Sequence, residues 1–254
     1  MKATKAYILR IKNPISIEYA KIAAESCDKV GLEWQYFDGY SNMTGLSAWK
    51  KTGLETKMVI PDVPGPSYIE DPPVITKAEC CSAGHAAIWK KIAEGKEDAA
   101  IVLEHDAIML HSMADIDIPD MAICPLGYKM ANPYSYRHEQ AGPTKTWVDI
   151  DGHEGAHAYA LTKRSAQFLV GEIKNKGPFG LVDNMYFIRR QRRTALPLKL
   201  ANPVAALGWL RESTIWEKTA HSNYEFIASF KQHYKKNKIT HIGLYSNVNR
   251  SRQR

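Results

Sequence analysis

An apolar run in this sequence ends in two carboxylates spaced two residues apart, Ile101-Val102-Leu103-Glu104-His105-Asp106. A buried strand of an open α/β sheet delivers its carboxyl end to the ligand crevice. Residues i and i+2 of an extended chain project to the same side, so Glu104 and Asp106 can aim at one point. Oxygen ligands of this kind suit Mn²⁺ or Mg²⁺, and such an ion can bridge a diphosphate and stabilise it as a leaving group. The same residues also suit a solvated acidic turn after a strand. His105 points away from the pair, toward a ligand on the other side or toward solvent.

Other residues carry chemistry less directly. Asp183 opens a predicted helix, where an aspartate can cap the backbone or serve as a base. Asp38 ends the second predicted strand, where acidic residues bind ribose hydroxyls in nucleotide folds, and where an aspartate before Gly39 also makes a turn. Arg10, at the end of the first strand, can meet a diphosphate or pair with a surface carboxylate. His153-Glu154-Gly155-Ala156-His157 spells H-E-x-x-H, but that zinc motif works only on a helix, and Gly152 and Gly155 interrupt one here. Arg189, Arg190, Arg192 and Arg193 end a predicted helix. The helix dipole favours cations there, yet four arginines, with the basic tail, can also form a footprint for phosphates.

These residues need a scaffold, and the hydrophobic pattern supplies one. Ala6–Ile11 reads as a buried strand. A helix follows over Ile17–Val30, with Ile17, Ala20, Ala24 and Cys27 on one face, and Gly31 stops it. Leu32–Phe37 completes a β-α-β unit, which predicts a parallel sheet. Residues 40–73 are rich in proline and glycine and read as a long loop. A helix over Thr76–Glu94 places Cys81, His85 and Trp89 on one face. Ala99–Leu103, Ala156–Leu161 and Ala195–Leu200 read as strands. Helices are expected over Thr162–Ile173, capped by Thr162, and over Val182–Arg193. The fold expected is α/β, with a mostly parallel, Rossmann-like central sheet flanked by helices. It forms one domain over residues 1–254, in which residues 223–254 are a C-terminal helix and basic tail.

Composition narrows the class. The 254 residues carry a formal charge of +7, which suits an anionic partner. No apolar run reaches the roughly 20 residues that span a bilayer. The lysine-containing N-terminus reads as a strand rather than a signal peptide. Cys27, Cys80, Cys81 and Cys124 form no C-x-x-C pair and read as reduced thiols of a soluble, cytoplasmic protein. Walker A, G-x-G-x-x-G and G-x-S-x-G patterns are all missing, which disfavours P-loop enzymes, classical dehydrogenases and α/β-hydrolases.

Several segments together resemble the lipopolysaccharide-biosynthesis glycosyltransferase family, which also includes collagen galactosyltransferase domains. That family shows G-C-x-x-S-H-x-x-x-W in a helix, L-E-D-D at a strand end, G-x-x-A-Y in a later strand and V-D opening a helix. Here the corresponding residues are Cys80-Cys81-Ser82-Ala83-Gly84-His85 with Trp89, Leu103-Glu104-His105-Asp106, Gly155-Ala156-His157-Ala158-Tyr159, and Val182-Asp183. The order holds over roughly residues 6–205. The departures are His105 for the central aspartate, Cys80 and Gly84 within the helix motif, and Arg10-Ile11-Lys12 after strand one. They mark a remote branch.

The resemblance implies a GT-A-type enzyme using a nucleotide sugar, a UDP-hexose by family habit, with Mn²⁺ or Mg²⁺ on Glu104 and Asp106. It implies Asp183 as the base for the acceptor hydroxyl, with Glu154 behind it, and His85, His105 and His157 near the donor. The acceptor is either a glycan hydroxyl or a hydroxymethylated pyrimidine in DNA, the kind that phage enzymes modify. The basic clusters tilt this toward DNA, with the four arginines gripping phosphates. A non-catalytic nucleic-acid-binding protein is the alternative from another class.

Overall fold

The structure is a computed structural model that describes residues 1–56, 72–130, 141–153, 155–187 and 193–209. Its centre is a five-stranded sheet of β1 (Lys5–Arg10), β2 (Glu33–Asp38), β3 (Ala99–Glu104), β5 (Cys124–Pro125) and β8 (Ala158–Thr162), ordered β2-β1-β3-β8-β5. β1 pairs in parallel with both β2 and β3, while β8 lies antiparallel between β3 and β5. Four of the five strands therefore run one way, and the expected α/β fold with a mostly parallel sheet is present. Two small sheets complete the described strands. One is β4 (Ala107–Met109), β10 (Ala206–Trp209) and β6 (Lys129–Met130), in the order β4-β10-β6. The other pairs β7 (Thr146–Ile150) with β9 (Leu198–Asn202).

Helix α1 (Pro14–Lys29) begins where the sequence supplies a start: the Asn13 side chain accepts from the Ile15 and Ser16 N–H groups, and Pro14 has no N–H to lose. Its buried face is made of small residues, Ser16, Ala20, Ala23, Ala24, Ser26 and Cys27, which let it lie close to the sheet. Ile17, expected on that face, is exposed. Helix α2 (Gly45–Lys51) forms inside the segment expected to be loop, capped by Thr44 accepting from Ser47 N–H. Helix α3 (Pro72–Glu94) starts four residues earlier than the pattern predicts. Helix α4 (Lys163–Lys176) has the predicted Thr162 cap.

The sheet separates two apolar layers. Tyr7, Leu9 and Val102 face α3 and α4, packing with Trp89, Ile92, Leu169 and Ile173. Ile8, Ile101 and Leu103 face α1, packing with Ala20, Ala24 and Cys27. Since Glu104 is in register with Leu9, it projects into the α3 layer. That register decides what the carboxylate meets. All four cysteines are free thiols. Among the described residues no helix is long and apolar enough to cross a membrane.

Candidate active site

Glu104 is the centre of the site. Its Oε1 accepts from His85 Nε2 at 3.2 Å and faces Cys81 Sγ at 4.0 Å; its Oε2 accepts from Lys129 Nζ at 3.3 Å. The proton positions follow from the chain of partners behind it. Trp89 Nε1, a donor only, gives its hydrogen to Tyr159 Oη at 2.7 Å. The Tyr159 hydroxyl then donates to His85 Nδ1 at 2.9 Å, which leaves the His85 proton on Nε2 to donate to Glu104. The helix face Cys81-His85-Trp89 and the Tyr159 of β8 thus form one relay that orients Glu104. Tyr159 can take part because it stands opposite Val102 on the neighbouring strand and shares its face.

Lys129 is the residue that sequence reasoning missed. It enters from β6, which pairs through β10 to the strand just after Asp106, and Trp209 N–H donates to the Asp106 carbonyl at 2.7 Å. Its ammonium lies 3.3 Å from Glu104 Oε2 and 3.8 Å from Asp106 Oδ2. Burial alone would lower its pKa, but Asp106, Glu104 and Asp183 together hold it well above the ordinary lysine value. Burial likewise opposes charge on Glu104. Lys129 and the hydrogen bond from His85 outweigh it and keep the carboxyl well below the usual range. The lysine can pass because residue 208 is glycine. A Cβ there would stand 2.6 Å from Lys129 Cγ and 2.8 Å from the His157 ring. The signal in the sequence was a single charge in the otherwise uncharged run 121–131.

Asp183 completes the cluster. It opens a π-helical turn (Asp183–Phe187), a rare geometry often found at functional sites, and accepts from the Ala156 N–H. Burial first, then the Glu104 charge, raise its carboxyl to about 6, although Lys129, His85 and the Ala156 N–H pull the other way. The side chains of Glu104, Asp106 and Lys129 keep 15%, 17% and 26% of their surface exposed, so the cluster can be reached from solvent.

The other expected contacts are distributed differently. His85 is fully buried with both ring nitrogens engaged, so it positions Glu104 instead of touching a donor. His157 is also fully buried, with neither ring nitrogen hydrogen-bonded among the described residues, and burial, His153 and Lys129 hold its pKa well below the ordinary histidine value. His153 spends its nitrogens on the Gly155 and Gly127 carbonyls. Residues 151–153 and 155–157 contain no helix, which removes the zinc-protease geometry.

His105, in the turn that follows β3, has its ring stacked 6.2 Å from Tyr19 of α1, which in turn stacks on Trp209. Arg10 and Asp38 are in register at the same edge of the sheet but on the face opposite Glu104. They bind each other at 2.8 Å, with the guanidinium 3.8 Å above the Tyr36 ring. Arg193 donates to the Pro178 and Gly177 carbonyls, which ties it to its own loop and not to a phosphate. Glu154, Arg189, Arg190, Arg192 and the helix and tail expected over 223–254 lie outside the described residues.

Two cation sites follow from these donors. Cys81, His85 and Glu104 bring one ligand atom each within 4.8 Å of one another. This softer set suits a borderline ion better than Mn²⁺ or Mg²⁺. Burial and the Glu104 charge hold the Cys81 thiol protonated, and His85 already donates to Glu104. The hard-oxygen site is between Glu104 and Asp106. There Asp106 Oδ1 is buried with no hydrogen-bond partner among the described residues, and Glu104, Asp106 and Asp183 bring more negative charge than one ammonium balances. An unsatisfied carboxylate oxygen beside surplus negative charge fits a divalent cation.

No family model and no curated protein matches the chain. Among solved structures it is similar to the galactosyltransferase LgtC, in complex with donor and acceptor sugar analogs. They are 10% identical, with 97% of this chain and 95% of that one covered and a TM-score of 0.41. It is also similar to a glycosyltransferase involved in glycosylation of the major capsid of PBCV-1 (10% identical, 96% and 98% covered, TM-score 0.33). A third is the glycosyltransferase GlyE of Streptococcus pneumoniae TIGR4 (8% identical, 100% and 64% covered, TM-score 0.35).

Proposed function

We propose that this protein is a GT-A-type glycosyltransferase that moves a sugar from a nucleoside-diphosphate sugar, a UDP-hexose by the sequence resemblance, to an acceptor hydroxyl. The observation that carries the reading is the convergence of Glu104, Asp106, Lys129 and Asp183 at the carboxyl end of a central parallel strand, with the four motifs of the sequence resemblance feeding one site.

In the reaction the acceptor oxygen attacks the anomeric carbon while the bond from that carbon to the diphosphate breaks, its electron pair leaving on the phosphate oxygen. Asp183 takes the acceptor proton. A carboxyl near 6 is largely ionised at neutral pH and still basic enough for that role. With Asp183 as the base, the displacement inverts the anomeric carbon. Glu104, oriented by His85 and Tyr159, and Asp106, whose buried Oδ1 has no hydrogen-bond partner among the described residues, would hold Mn²⁺ or Mg²⁺. That ion supplies Lewis-acid stabilisation of the leaving diphosphate. The His105-Tyr19-Trp209 stack borders the other side of the 104–106 turn and offers ring faces to a sugar or base.

For the acceptor we favour a glycan hydroxyl. The DNA reading rested on an arginine cluster whose described member, Arg193, is committed to carbonyls. The net charge of +7 keeps a hydroxymethylated pyrimidine as the second reading. Incubating the full chain with Mn²⁺, UDP-sugars and both acceptor types, then weighing the acceptors, tests both. A sugar added to glycan alone supports the first reading, and one added to DNA alone supports the second. Intact donor throughout would reject the transferase.

A further inference from the structure

The hard-oxygen site holds a contradiction that Lys129 resolves. Glu104 and Asp106 are placed to take a divalent cation, yet the ammonium of Lys129 already stands against one oxygen of each, Glu104 Oε2 at 3.3 Å and Asp106 Oδ2 at 3.8 Å. Two cations cannot share that seat cheaply, because like charges a few ångströms apart repel strongly in a partly buried setting. A lysine, unlike a backbone group, can move: its charge rides on a four-carbon stem. The small sheet fixes only its backbone, through the Gly208–Lys129 register. Glu104 and Asp106 flank the ammonium and the Asp183 charge acts on it as well, so without a cation these carboxylates would repel one another.

Resting on the glycosyltransferase reading, we infer that Lys129 is a resident counter-ion that fills the metal seat in the donor-free protein and moves onto the diphosphate when metal and nucleotide arrive together. The donor then binds through two charges, metal and ammonium. Metal without nucleotide binds poorly, because it must displace a cation that has nowhere favourable to go. Coupling of this kind is reciprocal. Whatever factor UDP adds to Mn²⁺ affinity, Mn²⁺ adds to UDP affinity. The role explains why the site carries a lysine at the one place where it obstructs the metal, and why residue 208 must be glycine to let it through.

The test reads binding and needs no turnover. The free Mn²⁺ signal is followed by electron paramagnetic resonance as the full chain is titrated, with and without UDP. For the wild type, UDP should tighten Mn²⁺ by about tenfold or more, as expected for losing one nearby like charge. Lys129→Met should bind Mn²⁺ without UDP at least about tenfold more tightly than the wild type, and gain less from UDP. Lys129→Gln, which keeps a donor for Glu104 without the charge, should behave the same way and serves if the methionine variant does not fold.

Equal Mn²⁺ affinity in the wild type and the neutral variants overturns the inference, as does a wild type that UDP leaves unchanged. A wild type that binds neither Mn²⁺ nor UDP overturns it together with the proposed function. If the couplings appear but no nucleotide sugar is ever turned over, the inference stands and the transferase reading falls.

Discussion

Replacing Tyr159 by phenylalanine removes one oxygen from the middle of the relay behind Glu104. That oxygen accepts from Trp89 Nε1 at 2.7 Å and bonds His85 Nδ1 at 2.9 Å, and all three residues are fully buried. The ring of the variant fills the same space, so packing is nearly conserved and the cost is polar. Two buried groups lose their partner, the Trp89 N–H and His85 Nδ1. Each orphaned group costs about 1–3 kcal/mol, giving roughly 2–6 kcal/mol in all. In a domain of this size that lowers Tm by at least about 4 °C.

Urea unfolding, with the slope checked for constancy, measures it. Trp89→Phe supplies the control. In the double variant no tryptophan N–H is left unsatisfied, so the two losses should add to less than their sum, by roughly 1 kcal/mol or more. A Tyr159→Phe loss below about 0.5 kcal/mol, within the usual range for an inconsequential substitution, would refute the relay. Strict additivity with Trp89→Phe would refute it too. The same variant should also weaken Mn²⁺ binding, since the His85 ring loses the Nδ1 bond that fixes its orientation toward Glu104.

Three further outcomes are expected. Because burial and Glu104 raise Asp183 to about 6, kcat/KM should climb with pH through that value. Asp183→Asn should abolish the climb and cost on the order of 10²–10⁴ in rate. The ionised form is the disfavoured one in the fold, so Asp183 stabilises least above pH 6. Asp183→Asn should therefore raise the Tm at pH 8 relative to wild type more than it does at pH 5, as thermal scans at the two pH values will show. Asp106→Asn, or chelation of metal by EDTA, should reduce transfer by roughly 10²-fold or more, with added Mn²⁺ rescuing only the chelated wild type. Gly208→Ala places a methyl 2.6 Å from Lys129 Cγ, so it should displace the lysine and loosen UDP binding while leaving the far-UV circular dichroism unchanged.

What the sequence disclosed, and what it withheld, follows from the range of the interactions. The β1-α1-β2 unit was legible because its apolar residues change from strand to helical spacing and Gly31 marks the helix end, whereas the start at Pro14, capped by Asn13, lies three residues before the expected Ile17. The face of α3 was legible because Cys81, His85 and Trp89 repeat at helical spacing. The pairing of Glu104 with Asp106 follows from treating the chain as extended; residues 105 and 106 in fact form a turn after β3, and the two carboxylates converge on Lys129. The reversed direction of β8 could not be read, since a strand buried on both faces looks the same in either polarity. Helix α2 was hidden in a stretch whose prolines and glycines argue for loop. Ile17 followed the helical period yet faces solvent, because alanines and Cys27 let α1 approach the sheet on a narrower face. Lys129 was the costliest omission. Its role depends on β6 lying beside β10, a pairing between residues far apart in sequence, and nothing local distinguishes a lysine that faces two carboxylates from one that faces water.

The most direct test of the central claim is mass spectrometry of a single reaction mixture: purified full chain, Mn²⁺, a panel of nucleotide sugars, and glycan and hydroxymethylated-DNA acceptors, run beside Asp106→Asn. The account predicts that one donor is consumed by the wild type, releasing its nucleoside diphosphate as one acceptor gains the sugar, and that the variant leaves both nearly untouched. Donors that all remain intact with folded wild-type protein, or a donor consumed equally by wild type and Asp106→Asn, would contradict it.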